Sequence, residues 1–309
     1  MFSEKVGMSF DTIIIGAGVA GMSAALWCDE LKLKASVLEK EVCPGGQLRI
    51  VYNPIENHLG IEAKNGADLC KKILKHLKKR NIRIATGVNI TQVNLERKEI
   101  QLSNGERLSA GNLIIATGVR RRKLNVEGEE EFQGRGILIS GKKDAKKVKG
   151  KKVCVIGGGD AALENALILS QTAEKVFLIH RRETFRARSE FIEKLKTNGK
   201  IEVLTNTVVR KITGDSCIEA VELENLLTKK KFFLAVQSVL IRIGVEPNTE
   251  LFKKQLEMDE FGYIKVNSHC ETSLKGVFAI GDVANPLSPT ISTAIGTGAT
   301  AVKIISSNS

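Results

Sequence analysis

The residues best placed to do chemistry are six in a row, Gly16-Ala17-Gly18-Val19-Ala20-Gly21. A short apolar run, Thr12–Ile15, precedes them and a helical pattern, Met22–Glu30, follows. A second apolar run, Ala35–Leu38, then ends at Glu39. Strand, glycine turn, helix, strand and acid, in that order, predict a turn that cradles the pyrophosphate of a dinucleotide. Gly16 permits the tight turn, Gly18 lets a phosphate approach the backbone, and Gly21 lets helix and strand pack closely. The helix start adds unpaired N–H groups and the positive end of its dipole. Glu39 is placed to accept hydrogen bonds from a ribose with free hydroxyls.

The pattern returns later in the chain. Lys152–Ile156 reads as a strand, Gly157-Gly158-Gly159-Asp160-Ala161-Ala162 as its turn, Leu163–Gln171 as the helix and Val176–Ile179 as the next strand. Gly157, Gly159, Asp160 and Ala161 are therefore cofactor-binding candidates. The unit ends differently, in His180-Arg181-Arg182 with Arg186 close behind. A guanidinium fork matches a phosphate in charge and geometry, so this site is expected to hold NADP through its 2′-phosphate. Two such units a domain apart mean two dinucleotide sites, not a solenoid repeat.

Other chemistries are excluded or reduced. The six cysteines stand at 28, 43, 70, 154, 217 and 270. No Cys-x-x-Cys pair and no zinc spacing can be made from them, so no metal is expected and reduced thiols are the reading. The net charge is +12, yet aromatic residues are only 5% and no stacking platform for bases appears, so nucleic acid is not expected. The basic run Lys142–Lys152 reads either as a solvated face or as a docking patch for an acidic partner. No apolar run is long enough to span a bilayer and no leader pattern precedes Met8, so a cytoplasmic chain without membrane contact is expected. The residues before Met8 are expected to be dispensable.

The elements that must position these groups make an α/β protein of two domains, both with buried parallel strands. Leu113–Gly118 and Val277–Asp282 each read as a buried strand ending in a turn. Thr293–Ile305 reads as a helix entered through Pro289-Thr290, its N-terminus able to stabilise negative charge on a ligand.

Nearly the whole chain resembles the low-molecular-weight thioredoxin reductases, flavoproteins with two dinucleotide domains. The carriers are the first glycine turn, Gly45-Gly46-Gln47-Leu48, Glu56-Asn57, Ala116-Thr117-Gly118, the second glycine turn, His180–Ala187, Gly244–Thr249, Gly262–Val266, Gly276–Val283 and Gly296–Gly298. The resemblance implies two Rossmann-like domains of the three-layer ββα type. An NADPH domain, 119–244, is inserted into an FAD domain split between 1–118 and 245–309. It implies FAD in the first unit and NADPH in the second. Gly46, Gln47 and Asn57 would approach the flavin, and Gly281-Asp282 would hold the ribitol. Thr290-Ile291 stand where the family usually has Gln-Ala, at the helix facing the flavin. A homodimer is implied as well.

One departure bears on function. Where those reductases carry Cys-x-x-Cys, this chain has Ser140 and Lys143, and a hydroxyl and an ammonium cannot cycle between dithiol and disulfide. Asp144 matches the family's proton-donating acid, a role that lapses without the thiols. Thioredoxin-reductase-like ferredoxin/flavodoxin–NADP reductases share the fold and also lack the pair. Their C-terminal flavin cover is not expected in a chain that ends soon after Gly298. The expected activity is hydride transfer from NADPH to FAD, then electron delivery to an external acceptor, an acidic ferredoxin- or flavodoxin-like carrier or a small molecule. The hydride step needs no side-chain acid or base, so no catalytic residue is named. Two rival readings are a disulfide reductase using a single thiol such as Cys43, and a redox-sensing or structural flavoprotein.

Overall fold

The computed structural model describes residues 9–308; the segment expected to be dispensable lies outside them. The chain divides into two compact units, one running through Arg120 and resuming at Glu246, the other Arg121–Val245.

The first unit opens with β1 (Ser9–Ile15), α1 (Val19–Glu30) and β2 (Ala35–Leu38). β1 starts before the apolar run because its pairing with a later strand already holds at Ser9. α2 (Gly66–Lys79), β3 (Ile90–Asn94), β4 (Glu99–Leu102) and β5 (Arg107–Ile115) follow. β1 pairs in parallel with β2 on one side and β5 on the other. Ile13, Ile14 and Ile15 are at most 4% exposed, which is why β1 is apolar at consecutive positions rather than alternate ones.

The chain crosses to the second unit at β6 (Val119–Arg121). That unit holds α3 (Gly141–Asp144), β7 (Lys152–Ile156), α4 (Asp160–Ser170), β8 (Lys175–Ile179), α5 (Ser189–Lys196) and β9 (Ile201–Leu204). An antiparallel trio, β10 (Thr207–Gly214), β11 (Ile218–Asn225) and β12 (Lys231–Ala235), precedes β13 (Ser238–Ile241). β13, β7, β8 and β9 form a parallel sheet in that order. Leu163, Ala166 and Leu169 of α4 pack on one face of it, with Val153, Val155 and Leu178. Val209, Val221 and Leu223 of the trio pack with Cys154, Ile156 and Ile179 on the other. Helix, parallel sheet and antiparallel sheet are thus three layers around two apolar cores.

The return crossing is β14 (Val245–Pro247), and β15 (Val277–Ala279) and α6 (Ile291–Ser307) complete the first unit. β5 divides its second edge: Leu113–Ile115 pair in parallel with β15, and Arg107–Ser109 pair with β4 in an antiparallel arm. α1 and α6 cover one face of this sheet, with Ala20, Ala24, Ala301 and Val302 buried together. Gly298 permits their approach, since a Cβ there would stand 2.7 Å from the Ala20 carbonyl oxygen.

Candidate functional site

In the first unit, β1 runs into Gly16 at φ +105°, a backbone that side chains rarely adopt. A Cβ on Gly21 would stand 1.9 Å from the Gly16 carbonyl oxygen, so the first turn of α1 sits directly on the strand end. A Cβ on Gly18 would meet nothing within 4 Å. Gly18 is also the N-cap of α1 and brings no side-chain cap, whereas Asn65 caps α2 and Thr290 caps α6. Open space therefore lies beside uncapped helix N–H groups, as a pyrophosphate requires. These residues fit the group.

The other expected ligands cluster around this turn. Glu39 is 8% exposed, and its carboxylate accepts the Ala17 N–H at 2.7 Å and the Glu41 N–H at 2.9 Å. Those bonds aim the carboxylate, and each oxygen keeps a second lone pair for a ribose hydroxyl. The Gly45 N–H donates to the Ala17 carbonyl at 2.9 Å, and the Gly46 side-chain position abuts Gly18 Cα. Gln47 donates to the Val119 carbonyl at 2.6 Å. Ala116 donates to the Ile15 carbonyl, and its own carbonyl closes over Gly16. Thr117 is locked by reciprocal bonds with Asn248, at 2.7 and 2.8 Å, while Gly118 accepts the Asn248 N–H. Gly281 abuts Ala20, and burial pushes the neighbouring Asp282 carboxyl above its ordinary pKa.

Asn57, Thr290 and Ile291 form a second group. Asn57 is exposed, and its neighbour His58 meets Ser292 at the start of α6, 3.1 Å away. The Thr290 hydroxyl accepts the Thr293 N–H at 3.1 Å, so it works as a helix cap. Ile291 packs with Val19 on the cluster around Leu48, which ties this group to the glycine turn.

The second unit repeats the device with different chemistry. Gly157 has φ +149°, and its side-chain position is filled by the Arg242 carbonyl oxygen, 2.1 Å away. A Cβ on Gly158 would enter the His180 ring, at 2.1 Å, whereas Gly159 faces open space. α4 starts at Asp160 with Gly159 as an N-cap that brings no side chain, and Ala161 is exposed on its first turn. This turn fits a second pyrophosphate.

His180 points inward. Its Nε2 lies 3.0 Å from the Thr184 carbonyl and its ring stacks on Phe185 at 5.2 Å. Burial pushes its pKa down; the Thr184 carbonyl opposes that and Arg182, Arg181 and Arg186 add to it. His180 is thus a seat for the glycine turn, and the exposed positive charge of this loop is carried by Arg181, Arg182 and Arg186. The Arg186 N–H donates to the Gly158 carbonyl at 2.9 Å, joining the arginine loop to the turn. Sequence reasoning missed Arg188, whose backbone N–H and Nε bind the two oxygens of Asp160 at 2.8 and 2.9 Å. This pairing offsets the negative charge of Asp160 at the start of α4. The signal available was an acid in an anion-binding turn, which calls for a cation nearby.

The segment from Ile139 through α3, which carries Ser140 and Lys143, is well held. Asp144 is 1% exposed, and one oxygen accepts the Ile139 and Ser140 N–H groups at 2.7 and 3.0 Å. Its other oxygen faces the Lys147 ammonium at 2.9 Å. Burial pushes the Asp144 pKa up, but Lys147 and the two N–H groups hold it below the ordinary carboxylate value. Gly141 donates to Asn165 of α4 at 2.6 Å. Arg121 and Arg242 converge on the Ile139 carbonyl at 2.6 and 2.5 Å. Burial, and then Arg121, push the Arg242 pKa down to about 10. Around this loop Lys142, Lys143, Lys146, Lys147, Lys149 and Lys151 are exposed.

Cys28, Cys70, Cys154 and Cys270 are buried, while Cys43 and Cys217 are exposed; all six are free. Burial, with Asp11 adding, pushes the Cys28 thiol up to about 12, and burial also pushes Cys154 up, so neither is a nucleophile at neutral pH. Among the described residues no cluster of three or more His, Cys, Asp or Glu could hold a metal, and no helix is long and apolar enough to cross a membrane.

Residues 10–298 match the family described as pyridine nucleotide-disulphide oxidoreductase. The chain is 36% identical, over 96% of both chains, to the 34.2 kDa protein in rubredoxin operon of Clostridium pasteurianum. It is 33% identical to the thioredoxin reductase of Bacillus subtilis, covering 99% of this chain and 95% of that one. The crystal structure of Lactococcus lactis thioredoxin reductase superposes with a TM-score of 0.83 at 33% identity, over 96% of this chain and 97% of that one. With two glycine turns of matching design, one followed by an acid and the other by arginines, the chain belongs to the pyridine nucleotide-disulphide oxidoreductase family and is a thioredoxin-reductase-like, FAD-dependent NADPH oxidoreductase.

Proposed function

We propose that this enzyme transfers electrons from NADPH through FAD to an external acceptor without a dithiol at 140–143, and that the acceptor is an acidic ferredoxin- or flavodoxin-like carrier. The observation that carries the reading is Ser140 and Lys143 standing where a Cys-x-x-Cys pair would be, on a loop rimmed by exposed lysines. The relative named for a rubredoxin operon supports a small redox protein as partner. We place the enzyme in the cytoplasm as a homodimer, with FAD on the unit that begins the chain and NADPH on the inserted one.

Bound FAD supplies the hydride-accepting chemistry. The chain's contribution is position and charge. Gly16, Gly18, Ala20, Gly21 and Glu39 hold the adenosine diphosphate end of FAD. Gly46, Gln47, Asn57, Ala116, Thr117, Gly118, Gly281, Asp282, Thr290 and Ile291 hold the remainder. Gly157, Gly159, Asp160 and Ala161 hold the NADPH pyrophosphate, with Arg181, Arg182 and Arg186 on the 2′-phosphate and His180 seating the turn. The lysine rim attracts a negatively charged carrier.

The test is anaerobic reduction followed by an acceptor panel. Stoichiometric NADPH should bleach the flavin band quickly and NADH slowly. Ferredoxin or flavodoxin should then reoxidise it faster than thioredoxin does. The relatives' names point to thioredoxin, and thioredoxin turnover abolished by Cys43→Ser would replace this reading with sulfur-mediated transfer. A flavin that stays oxidised under excess NADPH would overturn it altogether.

A further inference from the structure

Two cysteines that are distant in sequence come near one another on the loop that Gly45 fastens to the first glycine turn. Cys43 is exposed on the loop before Gly45, and Cys70 is 4% exposed on α2. The Cys70 thiol points at that loop: its Sγ lies 3.6 Å from the Pro44 carbonyl oxygen, next in chain to Cys43. It also fills the side-chain position of Gly45, where a Cβ would stand 2.6 Å away. Burial pushes the Cys70 thiol pKa up, and Cys43 is near enough for its charge to add to that rise against the opposing pull of Arg49. One thiol is open to solvent and the other is sheltered beside it, the arrangement of an attacked and a resolving cysteine.

We infer that Cys43 and Cys70 form a peroxide-sensitive dithiol that closes to a disulfide beside the glycine turn. The Cys43 sulfur attacks one oxygen of hydrogen peroxide. The O–O bond breaks, hydroxide leaves as water with the thiol proton, and Cys43 becomes a sulfenic acid. The Cys70 sulfur then attacks the Cys43 sulfur. The S–O bond breaks, and the second water carries away the Cys70 proton. Two thiols lose two electrons in all, and one peroxide becomes two waters. Closing the bridge requires the exposed Cys43 to turn toward α2, where the Cys70 sulfur already reaches the carbonyl of the next residue, Pro44. It ties the loop that leads into Gly45–Gln47 to α2, outside the route proposed for electrons. Cys28, Cys154 and Cys270 are buried and have no such neighbour described, and Cys217 is exposed in the other unit.

The full-length chain is treated with hydrogen peroxide, its remaining thiols are alkylated without reduction, and the digest is mapped by mass spectrometry. A linked peptide pair joining Cys43 to Cys70 is expected, lighter by two hydrogen atoms than the two reduced peptides and lost on adding dithiothreitol. Cys43→Ser, a surface change, should abolish it. Cys70→Ser should instead leave Cys43 to advance to sulfinic acid. Recovery of Cys43 from the unmutated chain as a free thiol or as sulfinic acid, with no linked pair, overturns the inference. Neither NADPH nor an acceptor enters the measurement, so its outcome is independent of the acceptor proposed above.

Discussion

Arg181, Arg182 and Arg186 are exposed on one loop, and the Arg186 N–H fastens that loop to the glycine turn. A charge-assisted hydrogen bond contributes about 1.5–3 kcal/mol, so removing one such arginine costs about tenfold or more in affinity for a 2′-phosphate. Arg182→Ala is expected to raise KM for NADPH by about that factor and to leave KM for NADH nearly unchanged; steady-state kinetics with both cofactors check this. Equal losses would mean that the residue acts on the fold. Asp144 tests the loop that carries no thiols. Its folded pKa is depressed, so its stabilisation is present above the unfolded value of about 3.9 and is lost as pH falls through the folded value. Asp144→Asn should therefore lower Tm at pH 7, and the gap to the unmutated chain should close below about pH 4. A constant gap from pH 7 to pH 3 would count against the ionised carboxylate as the cause.

At the scale of elements, the two glycine turns separate space kept for a ligand from space filled by the fold. Gly18 has an ordinary φ and open space around it, whereas the Gly21 side-chain position is occupied by the Gly16 carbonyl. Gly18→Val is expected to fold, with unchanged far-ultraviolet circular dichroism, but to purify with little FAD. Gly21→Val is expected to fail to fold, because a side chain there must drive α1 off β1. Flavin absorbance per protein, set beside circular dichroism, distinguishes the two, and normal FAD content in Gly18→Val would remove the turn from the site. The element boundaries show what patterns miss. Apolar periodicity started the first helix at Met22, but α1 begins at Val19, because the last three residues of the glycine fingerprint already form its first turn. The last helix begins at Ile291 rather than Thr293 for a related reason, its Thr290 cap lying before the apolar run.

At the scale of the whole molecule the net charge is +12, and the lysines between Lys142 and Lys151 stand together on the surface. If an acidic carrier docks there, turnover with it should fall steeply between low and physiological salt, since screening acts over about 8–10 Å. Direct reduction by NADPH in stopped flow serves as the comparison, because the loss is specific only if carrier turnover is the more salt-sensitive. Carrier turnover indifferent to salt would leave the basic run as a solvated face.

What the order of residues determined by itself was whatever is local in the chain. Strand, turn and helix with glycines at fixed offsets are read over a few residues, because the turn's backbone and the helix start lie within one stretch. The choice of acid in one unit and arginines in the other was legible for the same reason, since each follows directly on its second strand. That no two cysteines stand three positions apart was legible too, as a plain matter of residue type. Tertiary structure alone decided the pairings between distant stretches. Sequence spacing separated Cys43 from Cys70, yet the loop after β2 and helix α2 bring Cys70 against Pro44. Gly298 reads as part of a Gly-Thr-Gly string until α6 is laid on α1, where only a hydrogen fits against Ala20. Asp144 lost its chemical reason in the sequence and recovered a structural one only when folding buried it under two backbone N–H groups. The physical reason is common to all three: short-range sterics and hydrogen bonding write themselves into spacing, whereas the stacking of elements is settled by which faces bury together, and spacing along the chain does not record that.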